Sequence, residues 1–196
     1  MKIERHPFGE YLPPSVRGMI IGSFPIGKFT DPKRSHEIKP HEFKFFFGGE
    51  KNLLWKLISH ARNREIQETN DIVALLNELK LGVGDLIVSC RRKNGGASDS
   101  DLYDIEFNHN LINVIRKNKI QELYFTSKKV EAWFNKLFPD TGDLKKILLI
   151  SPSAQTLRAL GRNGRYLDWK KEHPDKKAIE FLYDDYKRIF SRINRK

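Results

Sequence analysis

The segment Gly22-Ser-Phe-Pro-Ile-Gly27-Lys28-Phe29 comes within one residue of the phosphate-binding loop G-x-x-x-x-G-K-[ST], in which backbone N–H groups cradle phosphates and a hydroxyl holds magnesium. Three features argue against that chemistry. Phe29 replaces the hydroxyl, Pro25 removes a backbone donor, and Asp31-Pro32 interrupts the helix whose N-terminus should receive phosphate. A serine nucleophile and a zinc protease fare no better, since the chain has neither G-x-S-x-G nor H-E-x-x-H. His36 and His41 lie five apart in a Pro-rich loop, where solvated histidine is the expected role. One cysteine, Cys90, excludes an internal disulfide, a four-cysteine zinc site and a cysteine-held iron–sulfur cluster. No metal and no cofactor is expected. What remains is a series: the turn Gly22-Ser23-Phe24-Pro25, the aromatic run Phe43-Lys-Phe45-Phe46-Phe47-Gly48-Gly49, then Glu50-Lys51-Asn52-Leu53-Leu54-Trp55, and later Ser151-Pro152-Ser153-Ala154-Gln155.

Several of these residues follow short apolar runs. Segments 18–22, 85–88, 121–125 and 147–150 read as buried strands. Helical periodicities lie between them: Leu53, Leu54, Leu57 and Ile58; Ile72, Leu75, Leu76 and Leu79; Leu111, Ile112 and Ile115; Val130, Trp133, Phe134, Leu137 and Phe138. Ser127 is placed to cap the last of these, and Gly82 and Gly84 separate the second from its following strand. Alternation of strand and helix predicts a three-layer α/β/α fold around a central four-stranded parallel sheet. Residues 162–177 read as a loop. Ile179, Leu182, Tyr186, Ile189, Phe190 and Ile193 then form the stripe of a basic amphipathic helix over about 178–193.

In an open parallel sheet the carboxyl ends of the strands form the binding edge. Each of the four expected strands is followed there by basic residues: Lys28, Lys33 and Arg34; Arg91, Arg92 and Lys93; Lys128 and Lys129; Arg158, Arg162 and Arg165. Positive charge on the ligand edge suits a phosphate backbone, although a generally lysine-rich solvated surface gives the same count. The whole chain points the same way: 36 Lys+Arg against 25 Asp+Glu give +11, and nucleic acid is the commonest polyanionic partner. With 196 residues, 39% hydrophobic and 31% charged, one domain over 1–196 with a packed core is expected. No apolar run approaches a membrane span and the first residues lack a signal peptide's apolar stretch, so a cytoplasmic protein is expected.

The order of these motifs resembles the uracil-DNA glycosylase superfamily from about residue 18 to 158. Gly22-Ser-Phe-Pro-Ile26 is similar to the G-I-N-P-G turn of the mismatch-specific branch. Phe47-Gly-Gly-Glu-Lys-Asn52-Leu-Leu-Trp55 matches that branch's F-A-H-P-x-N-R-F-W segment at Phe, Asn and Trp. The hypoxanthine-type branch looks closer, having a G-S-x-P turn without Asn and an N-x-F-W segment downstream. Gly84-Asp85-Leu86, Ser98-Asp99 and the Ser-Pro pair at 151 and 152 are also similar to it.

The resemblance implies a DNA glycosylase that hydrolyses the N-glycosidic bond of a deaminated base, uracil or hypoxanthine, in base-excision repair. Such an enzyme swings the nucleotide out of the duplex. It implies Asn52 as the catalytic, water-positioning residue and Phe47 as the ring that stacks on the flipped base, with Gly22, Ser23, Phe24 and Pro25 against base or sugar. Plain alternatives stand beside both roles: Asn52 precedes Leu53-Leu54-Trp55 as a helix cap would, and Phe47 ends a run of three aromatics that could all be core. Ser151, Ser153 and Gln155 resemble phosphate and stack contacts, Leu157 or Arg158 a wedge into the vacated stack, and Lys28, Arg91 and Arg92 complete the expected DNA contacts. Asp85 and Asp99 are further candidates for a water-activating carboxylate. Phe24 stands where the mismatch branch has its catalytic Asn, and the branch forms H-P-S and S-T-S-P-A are not reproduced after the last strand. The rival readings are therefore an inactive nucleic-acid-binding protein of the same fold and, from the near phosphate loop, a nucleotide hydrolase. The expected partner is DNA, and the expected state a monomer.

Overall fold

The computed structural model describes residues 2–93 and 98–193. In chain order its elements are β1 (Glu4–Arg5), β2 (Gly18–Gly22), α1 (Gly27–Thr30), α2 (Leu54–Arg62), α3 (Thr69–Leu79), β3 (Leu81–Asp85), β4 (Ile87–Arg92) and β5 (Leu102–Phe107). There follow α4 (Leu111–Lys117), β6 (Glu122–Phe125), α5 (Lys128–Leu137), β7 (Lys145–Leu148), α6 (Ala154–Ala159), α7 (Gly164–Glu172) and α8 (Ala178–Phe190).

The expected four-stranded parallel sheet is present, in the order β3-β2-β6-β7. Side chains of a strand alternate between faces, and β2 uses both: Ile20 enters the core shared with α2, α3 and α8, while Met19 and Ile21 enter the one shared with α4 and α5. Helices on both sheet faces give the three layers. Each fully buried Leu or Ile contributes ~1.5–3 kcal/mol, so the stripes Leu54, Leu57, Ile58 and Ile72, Leu75, Leu76, Leu79 suffice to fix α2 and α3 against the sheet. Ser127 caps α5 as expected, its hydroxyl accepting the Val130 N–H.

Three expectations are corrected. The second parallel strand is Leu81–Asp85, not 85–88. Its two glycines are packing residues, because a Cβ at Gly82 would lie 2.9 Å from the Leu12 side chain and one at Gly84 2.6 Å from Met19 Cε. Residues 87–92 instead form the middle of a separate antiparallel sheet, β1-β4-β5. The segment 162–177 is not all loop, since α7 starts on the Asn163 cap and holds Tyr166 and Trp169 against Phe181. Cys90 on β4 is buried, and burial pushes its thiol up to about 11, which makes it a poor nucleophile. Among the described residues no helix is long and apolar enough to cross a membrane, and no group of three His, Cys, Asp or Glu is placed to hold a metal ion.

Register is what positions the site. Gly22, the last residue of β2, is paired with Asp85, the last of β3, so the first turn and a carboxylate emerge side by side at the carboxyl edge.

Candidate functional site

The turn after β2 is pinned by its own backbone. The Gly22 carbonyl accepts the Leu86 N–H at 3.0 Å and the Ser23 carbonyl the Ile87 N–H at 3.1 Å. Any side chain at residue 22 is excluded: a Cβ there would overlap Asp85 Oδ1 and lie 2.6 Å from Phe47 Cζ. Gly22, Asp85 and Phe47 therefore meet at one point.

Phe47 is delivered there by a braced loop. Glu42 carries the brace, its side chain fully buried and held by the Lys28 ammonium, by the Lys39 N–H at 2.9 Å and by the Glu50 N–H at 2.7 Å. Burial alone would raise the Glu42 carboxyl, but these three donors outweigh it and hold it below the usual carboxylate range. Trp55 donates its indole N–H to the Phe46 carbonyl at 2.7 Å, and Gly48 returns its carbonyl to the Phe43 N–H at 3.0 Å. The three aromatics part company. Phe46 is core, Phe45 packs against Phe8 and Trp55, and Phe47 is half-buried with its edge toward Trp55. Phe47 has φ +54°, a left-handed conformation that costs a bulky side chain free energy and persists only where its surroundings impose it. The strain directs this ring to Gly22.

Behind Gly22 lies a residue the sequence reading passed over. His6 places Nε2 2.8 Å from Asp85 Oδ2, and its Nδ1 lies 2.6 Å from the Phe8 carbonyl. The imidazole is boxed by Phe8, Phe24 and Phe46, with ring centroids 5.4–5.8 Å away. Asp85 and His6 side chains are only 5% and 8% exposed. Asp85 Oδ1 is buried without a hydrogen-bond partner among the described residues, a condition that costs about 1–3 kcal/mol for a neutral group and more for a charged one. On the other flank of the turn, Ser23 donates to Asp99 Oδ1 at 2.7 Å. Burial is the main cause that raises the Asp99 carboxyl, with the Asp85 charge adding to it.

That direction fixes a sign. The folded protein keeps a proton on Asp99 at pH values where the unfolded chain has lost it, so Asp99 costs stability as pH rises through that window. Asp99→Asn, which still offers Ser23 an acceptor, is expected to raise Tm at pH 7, the gain closing below the ordinary carboxylate range in a melting series from pH 3 to 8.

Asn52 lies at the start of α2. Its Oδ1 accepts the Leu54 N–H at 2.9 Å, and its backbone forms an antiparallel bridge to Ser153. The Leu53 N–H donates to the Pro152 carbonyl at 2.7 Å and the Ala154 N–H to that of Lys51 at 2.8 Å. The structure thus joins Asn52 to the Ser151–Ser153 segment, while the Asn52 N–H to the Gly49 carbonyl at 2.8 Å ties it to the Phe47 loop. Ser153 caps α6 through the Gln155 N–H at 3.3 Å, and Ser151 Oγ accepts the Ser153 N–H at 3.4 Å. Gln155 and Arg158 are exposed, whereas Leu157 packs on the core.

The basic residues divide. Lys28 is spent on Glu42. Arg92, its side chain 3% exposed, pairs with Glu4 at 3.3 Å and donates to the Pro25 carbonyl at 2.7 Å, so it braces the first turn from inside and is not placed to meet a phosphate. Arg91 sits 3.4 Å from Asp104 at the surface.

No family model and no curated protein matches the chain. Among solved structures it is similar to the solution NMR structure described as "a putative Uracil DNA glycosylase from Methanosarcina acetivorans", at 20% identity and a TM-score of 0.62, over 98% of this chain and 99% of that one. At that identity the likeness is one of fold. The four-stranded parallel sheet and its covering helices are therefore those of an α/β fold shared with a protein of that description.

Proposed function

We propose that the chain is a DNA glycosylase that hydrolyses the N-glycosidic bond of uracil or hypoxanthine in DNA. The observation that carries this reading is the meeting of a strained Phe47 ring, a glycine without room for a side chain and a buried carboxylate at the end of β2, with a carboxamide fixed by a helix N–H where the Phe47 loop enters α2. An extruded base stacks on Phe47 with its edge toward Gly22–Pro25, and Asn52 aims water at the sugar carbon. Holding a helix N–H and aiming water are compatible, because a carbonyl oxygen has two lone pairs and Leu54 takes only one. The fixed orientation is an advantage for a group that must position water. Ser151, Ser153, Gln155, Arg158 and Arg91 hold the DNA strand. Lys28 and Arg92 act on DNA only through the loops they brace.

A duplex with one uracil or one hypoxanthine, incubated with protein and then with alkali, tests this. Strand cleavage at the damaged base is expected. Binding with no cleavage at either base would favour the inactive binder, which Phe24 in the place of Asn motivates. For contact assignment, Arg158→Ala is expected to weaken binding equally on all sequences and to reduce the slope of log affinity against log salt by about 1. Arg92→Ala, by contrast, is expected to lower Tm.

A further inference from the structure

The parallel sheet has a second end. At its amino edge the starts of β2, β3, β6 and β7 and the last turn of α8 border an open cavity of about 440 Å³, a size that suits one small molecule. Gly18 lines this cavity and Gly22 ends the same strand at the candidate site, so at ~3.3 Å per residue the two places lie ~13 Å apart. The base of the cavity is apolar and fixed. Ile189 and Ile193, the last members of the apolar stripe that runs through α8, line it half-buried, together with Ile147 and the buried Leu81. A side chain at residue 18 has no room, because its Cβ would lie 2.8 Å from Leu81 and 3.0 Å from Tyr124. The strand starts are tied to one another: the Gln121 N–H donates to the Arg17 carbonyl at 2.8 Å and the Lys145 N–H to the Gln121 carbonyl at 3.0 Å. The walls are cationic. Arg17, Lys145, Arg188 and Arg192 line the cavity with one carboxylate, Glu122. That carboxylate is already engaged, taking the Lys145 ammonium at 2.7 Å and the Tyr124 hydroxyl at 2.5 Å, while Arg188 reaches Asp185 at 3.0 Å. The exposed side chains of Arg17 and Arg192 make no hydrogen bond or ion pair among the described residues.

We infer that this cavity is a second binding site, for a nucleoside monophosphate, with the phosphate held by Arg17 and Arg192 and the base laid on Leu81, Ile189 and Ile193. Two guanidinium groups over an apolar base complement a flat molecule that is anionic at one end. A phosphate monoester fits them better than a carboxylate does. It carries nearly two charges and three acceptor oxygens, enough to engage both planar guanidinium forks at once. Gln121 at the rim has a side-chain amide that can donate to and accept from a base edge. The inference goes beyond the glycosylase reading and does not rest on it, since neither Phe47 nor Asn52 lines this cavity. A ligand here leaves the other edge of the sheet open.

The experiment is a calorimetric titration of the full chain with adenosine 5′-monophosphate, with adenosine and with inorganic phosphate. The monophosphate is expected to bind at one site, and the other two at least ~10-fold more weakly, because each lacks one half of the contacts. Arg17→Ala and Arg192→Ala, both at exposed positions, are each expected to weaken the monophosphate at least ~10-fold, the loss of a charge-assisted hydrogen bond. Gln121→Glu, which adds a negative charge at the rim, should weaken it as well, and Phe47→Ala on the opposite edge should not. Three results overturn the inference: no binding of the monophosphate at millimolar concentration, inorganic phosphate binding as tightly as the monophosphate, or binding that is lost in Phe47→Ala and kept in the arginine variants. A single-stranded oligonucleotide that responds to the arginine substitutions when the monophosphate does not would make the cavity part of a strand path, and that also overturns it. None of these readouts is base release, so the glycosylase reading stands or falls separately. The wild-type comparison of the three ligands decides the matter even if a variant fails to fold.

Discussion

Asn52→Ala is expected to lower the single-turnover rate of base release at least ~100-fold while DNA affinity changes little, the loss typical of a positioned catalytic group. The same change removes the acceptor for the Leu54 N–H, so a stability loss of about 1 kcal/mol accompanies it. Asn52→Ser separates the two effects. A serine hydroxyl can still accept the Leu54 N–H but is too short to reach a water over the sugar, so Tm should recover and the rate should not. Release that survives in Asn52→Ala would remove this residue from the mechanism.

The second large effect concerns the brace beneath Phe47. Glu42→Ala leaves the Lys28 ammonium, 14% exposed, without its partner and strips the Lys39 and Glu50 N–H groups of their acceptor. Removing one member of a buried pair costs about 3–5 kcal/mol. For a chain of this size that lowers Tm by roughly 6–20 °C. Because Glu42 is depressed in the folded state, its stabilisation is complete above the ordinary carboxylate range and is lost as pH falls through the folded value. The gap between wild type and Glu42→Ala in a thermal melt should therefore narrow in acid. The pair Lys28→Met with Glu42→Leu, which removes both charges, is expected to recover most of the stability. A Tm unchanged in Glu42→Ala would show that the loop is held some other way.

What the sequence discloses follows from how local each signal is. β2 was legible because Met19-Ile20-Ile21 is a dense apolar run between two glycines, and α5 because five apolar residues repeat at helical spacing after a serine cap. β3 was not. Leu81-Gly-Val-Gly-Asp carries two glycines that normally punctuate strands, and here they make room for Met19, Tyr11 and Leu12. α7 was missed because its apolar face is little more than Tyr166 and Trp169 among charges.

The site divides along the same line. Gly22, Phe47 and Asn52 sit in short motifs whose order can be read. His6 is separated from Asp85 by 79 residues, and Arg92 from Pro25 by 67, so no window of sequence contains either interaction. Charge counting at strand ends credited Lys28 and Arg92 to the binding surface. The fold spends both on internal carboxylates, Glu42 and Glu4, since a cation near the sheet edge is as useful for bracing a loop as for meeting phosphate.

The most direct measurement is the quantity of free base and of abasic strand formed when excess protein meets a duplex containing a single uracil or hypoxanthine. The account predicts the two products in equal amounts, both formed at least ~100-fold more slowly by Asn52→Ala. Intact oligonucleotide recovered from a saturated complex would contradict it.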